Sequence, residues 1–413
     1  MEKPVLILTA IGIRSDMGSE PGKAWGWANA LDKFYRLEVL TLPSGARHFE
    51  ERGTPEGWRV HGVGEEFSPG PARAYYAAYR RWCERALDAC REILRAGPVA
   101  GLHHVTLGSF RVLPRYDRLG IPYTVGPLGG GESIPWALLP QLRLPAREVA
   151  VEAARSPVNY AFAALPSLRA VFKHSRMTLA TTRETLDVLT ALGATRAAVA
   201  FPDAFEGGGE DAAVLGAREA QAAALPARVR CLCAGRVLWW KGMHLGVEFV
   251  GRLRQRGVEA TLDVYGDGPA LPVLRERTAR LGLTPHVTFH GTVGRDTLMR
   301  GYADAHLFVY PTTHDSSSLA ILEAYSLGLP TMTLGLSGPA TVATPATGLN
   351  DRVRSIDDWL EAGCRTVAGW RDDPASWLRV CRAARERSRD FGFDHLERCV
   401  REHLNPVFLP SAA

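Results

Sequence analysis

The 413 residues are 46% hydrophobic and 23% charged, and 41 Gly with 27 Pro follow no collagen-like period, so neither a disordered nor a fibrous chain is expected. Against 44 Asp and Glu stand 49 Lys and Arg, a net charge of +5 that is too small to argue for nucleic acid. The length suits two domains of roughly 100 to 200 residues each.

From the N-terminus, short apolar runs at 5–10 (VLILTA), 37–42, 99–105, 122–125, 177–181 and 197–201 predict strands, with helices between them. The clearest helix is 72–95, where Tyr75, Tyr79, Trp82, Cys83, Ala86 and Cys90 recur at helical spacing as a core stripe. The Gly- and Ala-rich stretch 203–228 predicts a linker with a short helix. Strands at 229–234, 260–265, 287–290, 306–310 and 330–334 then alternate with helices near 243–256, 270–281, 295–303 and 318–327, and 355–404 reads as helical. Such alternation is that of an α/β chain with two doubly wound, Rossmann-like domains, 1–202 and 229–391, followed by a last helix, 392–413.

The seven cysteines are scattered and odd in number, which predicts buried thiols rather than a disulfide framework. MEKPVLILTAIGIR is too short an apolar start for a signal peptide, and no run approaches the roughly 18 apolar residues of a spanning helix. A cytoplasmic protein is expected.

Open α/β sheets bind ligands beyond the carboxyl ends of their strands, near helix N-termini. In the second domain this rule selects Gly235, Arg236 and Lys241, then Gly266 to Gly268, then Gly291, then Pro311 to Ser318. In the first it selects Gly12 to Gly22, the region after His103 and His104, and Gly126 to Gly131. Arg236 and Lys241, in GRVLWWKG, pair a planar fork with a mobile point charge and suit a diphosphate; a pair of solvated surface cations is the alternative. In HDSSSLAILEAYSLGLP, Asp315 and the run Ser316, Ser317 and Ser318 stand at a helix N-terminus, where backbone N–H groups favour an anion, unless they merely cap it. Glu323 lies among apolar neighbours, where an unpaired carboxylate is costly and a pair of sugar hydroxyls is a natural partner. His103 and His104 are adjacent on a strand and point to opposite faces, so at most one meets a ligand. Neither GIRSDMGSEPG nor GPLGGGE has dinucleotide or P-loop spacing, and without an H-E-x-x-H or D-x-D pattern no metal is expected.

Together, GSEPGKAWGWANAL, VGPLGGGE, GRVLWWKG, VYGDGP, FHGTV and HDSSSLAILEAYSLGLP resemble glycosyltransferase family 4, retaining enzymes of the GT-B fold, over nearly the whole chain. The resemblance implies two Rossmann-like domains facing across a cleft, the acceptor side first and the nucleotide-sugar side second, with the last helix crossing back to the first. It implies that Arg236 and Lys241 hold the donor diphosphate and that Glu323 binds the ribose hydroxyls. Ser318 and Leu319, beside Ser317, would offer amides, Gly266 and Gly291 would line the nucleotide, and Asp315 would touch the donor sugar. Gly22 would approach the diphosphate from the first domain, and one of His103 and His104 would be the active-site histidine. Two departures stand out: Asp315 replaces the family's Glu, and Ser-Ser-Ser replaces a commoner Gly-Phe-Gly-like stretch.

The expected activity is retaining transfer from a UDP-sugar, ahead of a GDP-sugar, to an acceptor hydroxyl in polysaccharide, glycolipid or glycosylated-metabolite synthesis. No cofactor beyond the donor and no nucleic-acid partner is implied. Residues 138–177 mix apolar and basic side chains, so a peripheral position on an anionic inner membrane, beside a lipid-linked acceptor, stands against a pair of ordinary core helices. Other readings are a non-catalytic sugar-nucleotide-binding subunit, an epimerase or an inverting transferase.

Overall fold

A computed structural model describes residues 2–17, 19–67, 72–207, 209–225 and 227–409. Gly18 of the glycine-rich loop, Gly208 and Pro226 of the expected linker, and 410–413 of the expected last helix lie outside the described residues. The chain divides into two units, one of residues 1–132, 156–204 and 393–413, the other of 133–155 and 205–392.

The first unit holds a seven-stranded parallel sheet made of β1 (Val5–Ala10), β2 (Arg36–Thr41), β3 (Trp58–Gly62), β4 (Gly101–Thr106), β5 (Tyr123–Leu128), β6 (Met177–Ala180) and β7 (Ala197–Val199). Its order is β3-β2-β1-β4-β5-β6-β7. Central strands such as β1 and β4 are buried on both faces, which is why they read as continuous apolar runs. β3, at the edge, is the strand the sequence hides: Arg59 and Gly62 are exposed and only Trp58 is buried, so no apolar run marks it. The segment from Phe393 onward belongs to this unit, where Leu396, Val400 and Leu404 join the core of Leu6, Leu8 and Trp27.

The second unit holds a six-stranded parallel sheet: β8 (Val229–Ala234), β9 (Ala260–Tyr265), β10 (Val287–Gly291), β11 (Leu307–Tyr310), β12 (Thr331–Thr333) and β13 (Gly348–Leu349), in the order β10-β9-β8-β11-β12-β13. All seven cysteines of the chain are free and buried, as expected.

Two expected boundaries differ from the structure. Residues 133–155, counted with the first domain on sequence grounds, belong to the second unit because Ile134, Leu138, Leu139 and Leu142 pack into its core. His244 Nε2 also meets the Leu142 carbonyl at 2.9 Å. Of the expected linker, residues 205–228 with its expected short helix are counted with the second unit. Its helix, Asp211–Ala222, carries Arg218, 1% exposed, whose guanidinium donates to the carbonyls of Leu327, Ala305 and Tyr302 at 2.8, 2.6 and 2.8 Å.

Candidate nucleotide-sugar site

In the second sheet the strand order reverses between β8 and β11, where Leu307 pairs with Cys231 and Phe308 with Leu232. Loops leaving two such strands run to opposite sides and open a crevice at their carboxyl ends. The loop after β8 carries Gly235, Arg236 and Lys241; the loop after β11 carries His314, Asp315 and the three serines.

Glycines form the floor beside this crevice. Gly266 has φ +125°, and a Cβ there would stand 2.0 Å from the Gly235 carbonyl oxygen, so only glycine lets the loop after β9 lie on the loop after β8. The Gly266 N–H donates to the Gly291 carbonyl at 2.7 Å, bringing the end of β10 into the same layer. Arg236, next to Gly235, is exposed.

Trp239–Lys241 form one 3-10 turn, and the Trp240 carbonyl is clamped by Thr313 N–H at 2.9 Å and by the Thr313 and Thr312 hydroxyls at 3.1 and 3.3 Å. The Lys241 side chain is 13% exposed. Its ammonium stands 4.7 Å from the Trp240 ring centroid and 5.1 Å from that of Tyr310, a geometry favourable to a cation. It donates to the Tyr310 hydroxyl at 2.9 Å and to Asp315 Oδ2 at 2.5 Å, and the Tyr310 hydroxyl donates to the same Asp315 oxygen.

Beyond Asp315, Ser317 is half-buried, and Ser318 is fully buried with its Oγ lacking a hydrogen-bond partner. Leu319 opens the helix Leu319–Ser326, whose first turn holds no acidic residue to compete with an anion. Glu323, one turn in, is 9% exposed and lies 3.3 Å from Arg295, which sits over the Phe205 ring. The structure thus supplies the neighbour that this carboxylate needed.

On the other side of Asp315, His314 Nε2 meets Glu152 Oε1 at 2.9 Å, and Arg155 Nε meets Glu152 Oε2 at 3.0 Å. Burial pushes the Glu152 carboxyl up, but the hydrogen bond and charge of His314, with Arg155, outweigh it and hold the group below the usual carboxylate range. The His314 ring stacks on Trp240, centroids 4.7 Å apart and planes at 28°.

The residues selected in the first unit are placed differently. Gly22 lies in the helix Ser19–Asp32, after a loop closed by the Arg14 N–H on the Pro21 carbonyl at 3.2 Å. His103 and His104 do point to opposite faces, yet neither is accessible, which corrects the expectation that one opens towards a ligand. His103 Nδ1 meets Thr124 Oγ1 at 2.8 Å beneath the Trp27 ring, and His104 Nδ1 meets Thr9 Oγ1 and the Tyr116 hydroxyl at 2.9 and 3.0 Å. Burial lowers their pKa values to about 3 and about 4, so both are neutral core imidazoles at neutral pH.

Sequence reasoning gave no role to Tyr310, His314, Glu152 or Arg295. Tyr310 borders the selected loop Pro311 to Ser318 and His314 lies within it, so both were within its reach. Glu152 was not, since 162 positions separate it from His314.

Residues 228–369 match the family described as Glycosyl transferases group 1. The chain is 29% identical over 181 residues to a 2-deoxystreptamine glucosyltransferase of Streptomyces kanamyceticus, covering 42% of this chain and 44% of that protein. It is 30% identical over 172 residues to a GDP-mannose-dependent alpha-mannosyltransferase of Corynebacterium glutamicum, covering 39% and 40%. The chain thus spans less than half the length of these curated relatives. Among solved structures, HepE of Anabaena in complex with UDP and glucose superposes with a TM-score of 0.60 at 12% identity, over 97% of this chain and 98% of that one. The catalytic domain of starch synthase IV from Arabidopsis thaliana, bound to ADP and acarbose, reaches 0.65 at 14% identity, again over 97% and 98%. With its two parallel-sheet units the chain has the GT-B fold, and residues 228–369, within its second unit, match the glycosyl transferases group 1.

Proposed function

We propose that the chain transfers a sugar from a nucleoside diphosphate sugar, UDP-linked ahead of GDP-linked, to an acceptor hydroxyl with retention at the anomeric carbon. The observation that carries this reading is the meeting of Lys241 and Asp315 at the strand-order reversal, next to the N-terminus of Leu319–Ser326 and one turn from Glu323. Arg236 and Lys241 neutralise the charge that grows on the departing diphosphate, work that elsewhere falls to a metal ion, and no metal cofactor is needed. Glu323 takes the ribose hydroxyls, with Gly266 and Gly291 alongside, and Ser317, Ser318 and Leu319 supply the helix end facing phosphate or sugar.

Asp315 is a poor nucleophile because two donors share its Oδ2. This favours a front-face route: the bond from C1 to the diphosphate oxygen breaks, the acceptor oxygen bonds to C1 from the same side, and its proton passes to the departing diphosphate. A thermal-shift screen against UDP-, GDP-, ADP- and dTDP-sugars tests the donor, since a ligand at a hundred times its Kd stabilises by about 2.7 kcal/mol. Stabilisation by none of them overturns the reading. Hydrolysis of the stabilising donor by the purified chain separates an enzyme from a silent binding subunit. A product of inverted anomeric configuration overturns retention, and activity abolished by a chelator overturns metal independence.

For the acceptor we propose a lipid-linked sugar at an anionic membrane. In the helix Ala146–Ala161, Val151 is 49% exposed, and Trp136 of the same unit is likewise exposed. Among the described residues no helix is long and apolar enough to cross a membrane, so contact would be peripheral. Flotation with phosphatidylglycerol liposomes, lost on Val151→Asp, supports it; absence of the wild-type chain from the floating fraction overturns it.

A further inference from the structure

Glu152 and His314 form a hydrogen-bonded pair whose side chains are only 4% and 5% exposed. Withdrawing such a pair from water costs most of what the contact returns, so stability alone is a weak reason to build one. Anchoring of residues 133–155 does not require it either. Ile134, Leu138, Leu139 and Leu142 already lie in the core, and Gln141 Oε1 accepts the Ile356 N–H at 2.9 Å. What the pair does is fix an aromatic ring. His314 is stacked on Trp240 at 4.7 Å, and the same Trp240 ring has the Lys241 ammonium 4.7 Å from its centroid.

We propose that Glu152 is a positioning residue for Lys241, acting through His314 and Trp240. Glu152, steadied by Arg155, sets the imidazole plane; the imidazole sets the indole plane; the indole and the Tyr310 ring set where the ammonium stands. Because Asp315 follows His314 directly, the same contact also fixes the start of the carboxylate-bearing loop. The inference rests on the reading that Lys241 meets the donor diphosphate. It adds a residue from a distant helix that touches no ligand and yet tunes affinity for the diphosphate part alone.

The test is calorimetric binding of UDP and GDP, with uridine and guanosine as probes lacking the diphosphate, to wild type, Glu152→Gln, Lys241→Ala and the double variant. Glu152→Gln is expected to weaken the bound nucleoside diphosphate about tenfold, leave the matching nucleoside unchanged, and add less than about twofold once Lys241 is absent. Equal weakening of nucleoside and diphosphate, or an undiminished effect in the Lys241→Ala background, overturns the link and leaves only a structural role. A tenfold loss in Lys241→Ala with none in Glu152→Gln overturns the link but keeps the site reading, whereas no loss in Lys241→Ala overturns both. Should Glu152→Gln not fold, Trp240→Phe and Trp240→Leu give the same comparison. Diphosphate affinity is expected to survive in the first and fall in the second, and equal losses overturn the link.

Discussion

Lys241 and Asp315 leave the ends of two neighbouring parallel strands, β8 and β11, and meet with 2.5 Å between ammonium and carboxylate. The cation suited to a diphosphate is therefore held by a carboxylate that an incoming diphosphate must compete with. Asp315→Asn removes that competition and a negative charge from the edge of the crevice. It is expected to bind UDP or GDP about three- to tenfold more tightly while sugar transfer falls at least about tenfold. Calorimetry with product assay checks this, and weaker nucleotide binding would contradict it.

Glu323 and Arg295, 3.3 Å apart, make a second expectation. A carboxylate partly neutralised by Arg295 keeps acceptor capacity for a pair of hydroxyls. Glu323→Gln should therefore lower affinity for a ribonucleoside diphosphate about tenfold, the worth of a hydrogen bond to a charged group. Inorganic pyrophosphate, which has no ribose, should bind as before. Equal losses for both would place the carboxylate's effect on phosphate instead.

The parallel strands were legible because burial on both faces writes an apolar run, and β8 and β9 fall where VRCLCA and ATLDVY say they should. Strand-end positions followed from those strands, so the sequence selects Arg236, Lys241, Gly266 and Asp315, and it selects Glu323 by its apolar neighbours. Three things were not written locally. β3 presents a partly exposed edge and β13 has two residues, too few for any period. The affiliation of 133–155 depends on which of two apolar cores its leucines enter, and both are equally apolar in sequence. The resemblance gave one of the histidine pair a catalytic place, and a strand's alternation says that two residues face opposite ways but not whether either face is open. Here both faces are covered, by Trp27 and by Tyr79 with Tyr116.

Gly242 ends the turn that carries Lys241 at φ +67°, and a Cβ there would stand 2.2 Å from the Pro311 carbonyl oxygen. Both the left-handed backbone and the close approach to the loop after β11 exclude a side chain. Gly242→Ala is expected to cost about 2 kcal/mol or more and to reduce diphosphate affinity along with it, as the two loops are pushed apart. Urea unfolding beside calorimetry measures both. An unchanged midpoint would show that the loops separate without cost.

Acid should unfold the protein earlier than its carboxylates alone would require. Burial lowers His103 to about 3 and His104, His244 and His306 to about 4, against an ordinary 6.5. Above pH 6.5 these rings are neutral folded or unfolded and stability is flat with respect to them. As pH falls below 6.5 the unfolded chain takes up protons that the folded core refuses. Each ring then costs about 1.4 kcal/mol per pH unit until its folded pKa is reached. Glu152, whose carboxyl is held below the usual range, adds to the loss only at lower pH, where the unfolded carboxylate protonates first. Urea midpoints at pH 7, 6 and 5 should therefore drop steeply over the last step, with unfolding at pH 5 accompanied by uptake of about four protons from these histidines. His244→Gln, which keeps a donor near the Leu142 carbonyl, should flatten the drop by about a quarter. Equal midpoints at pH 7 and 5 would mean that these rings can charge inside the fold.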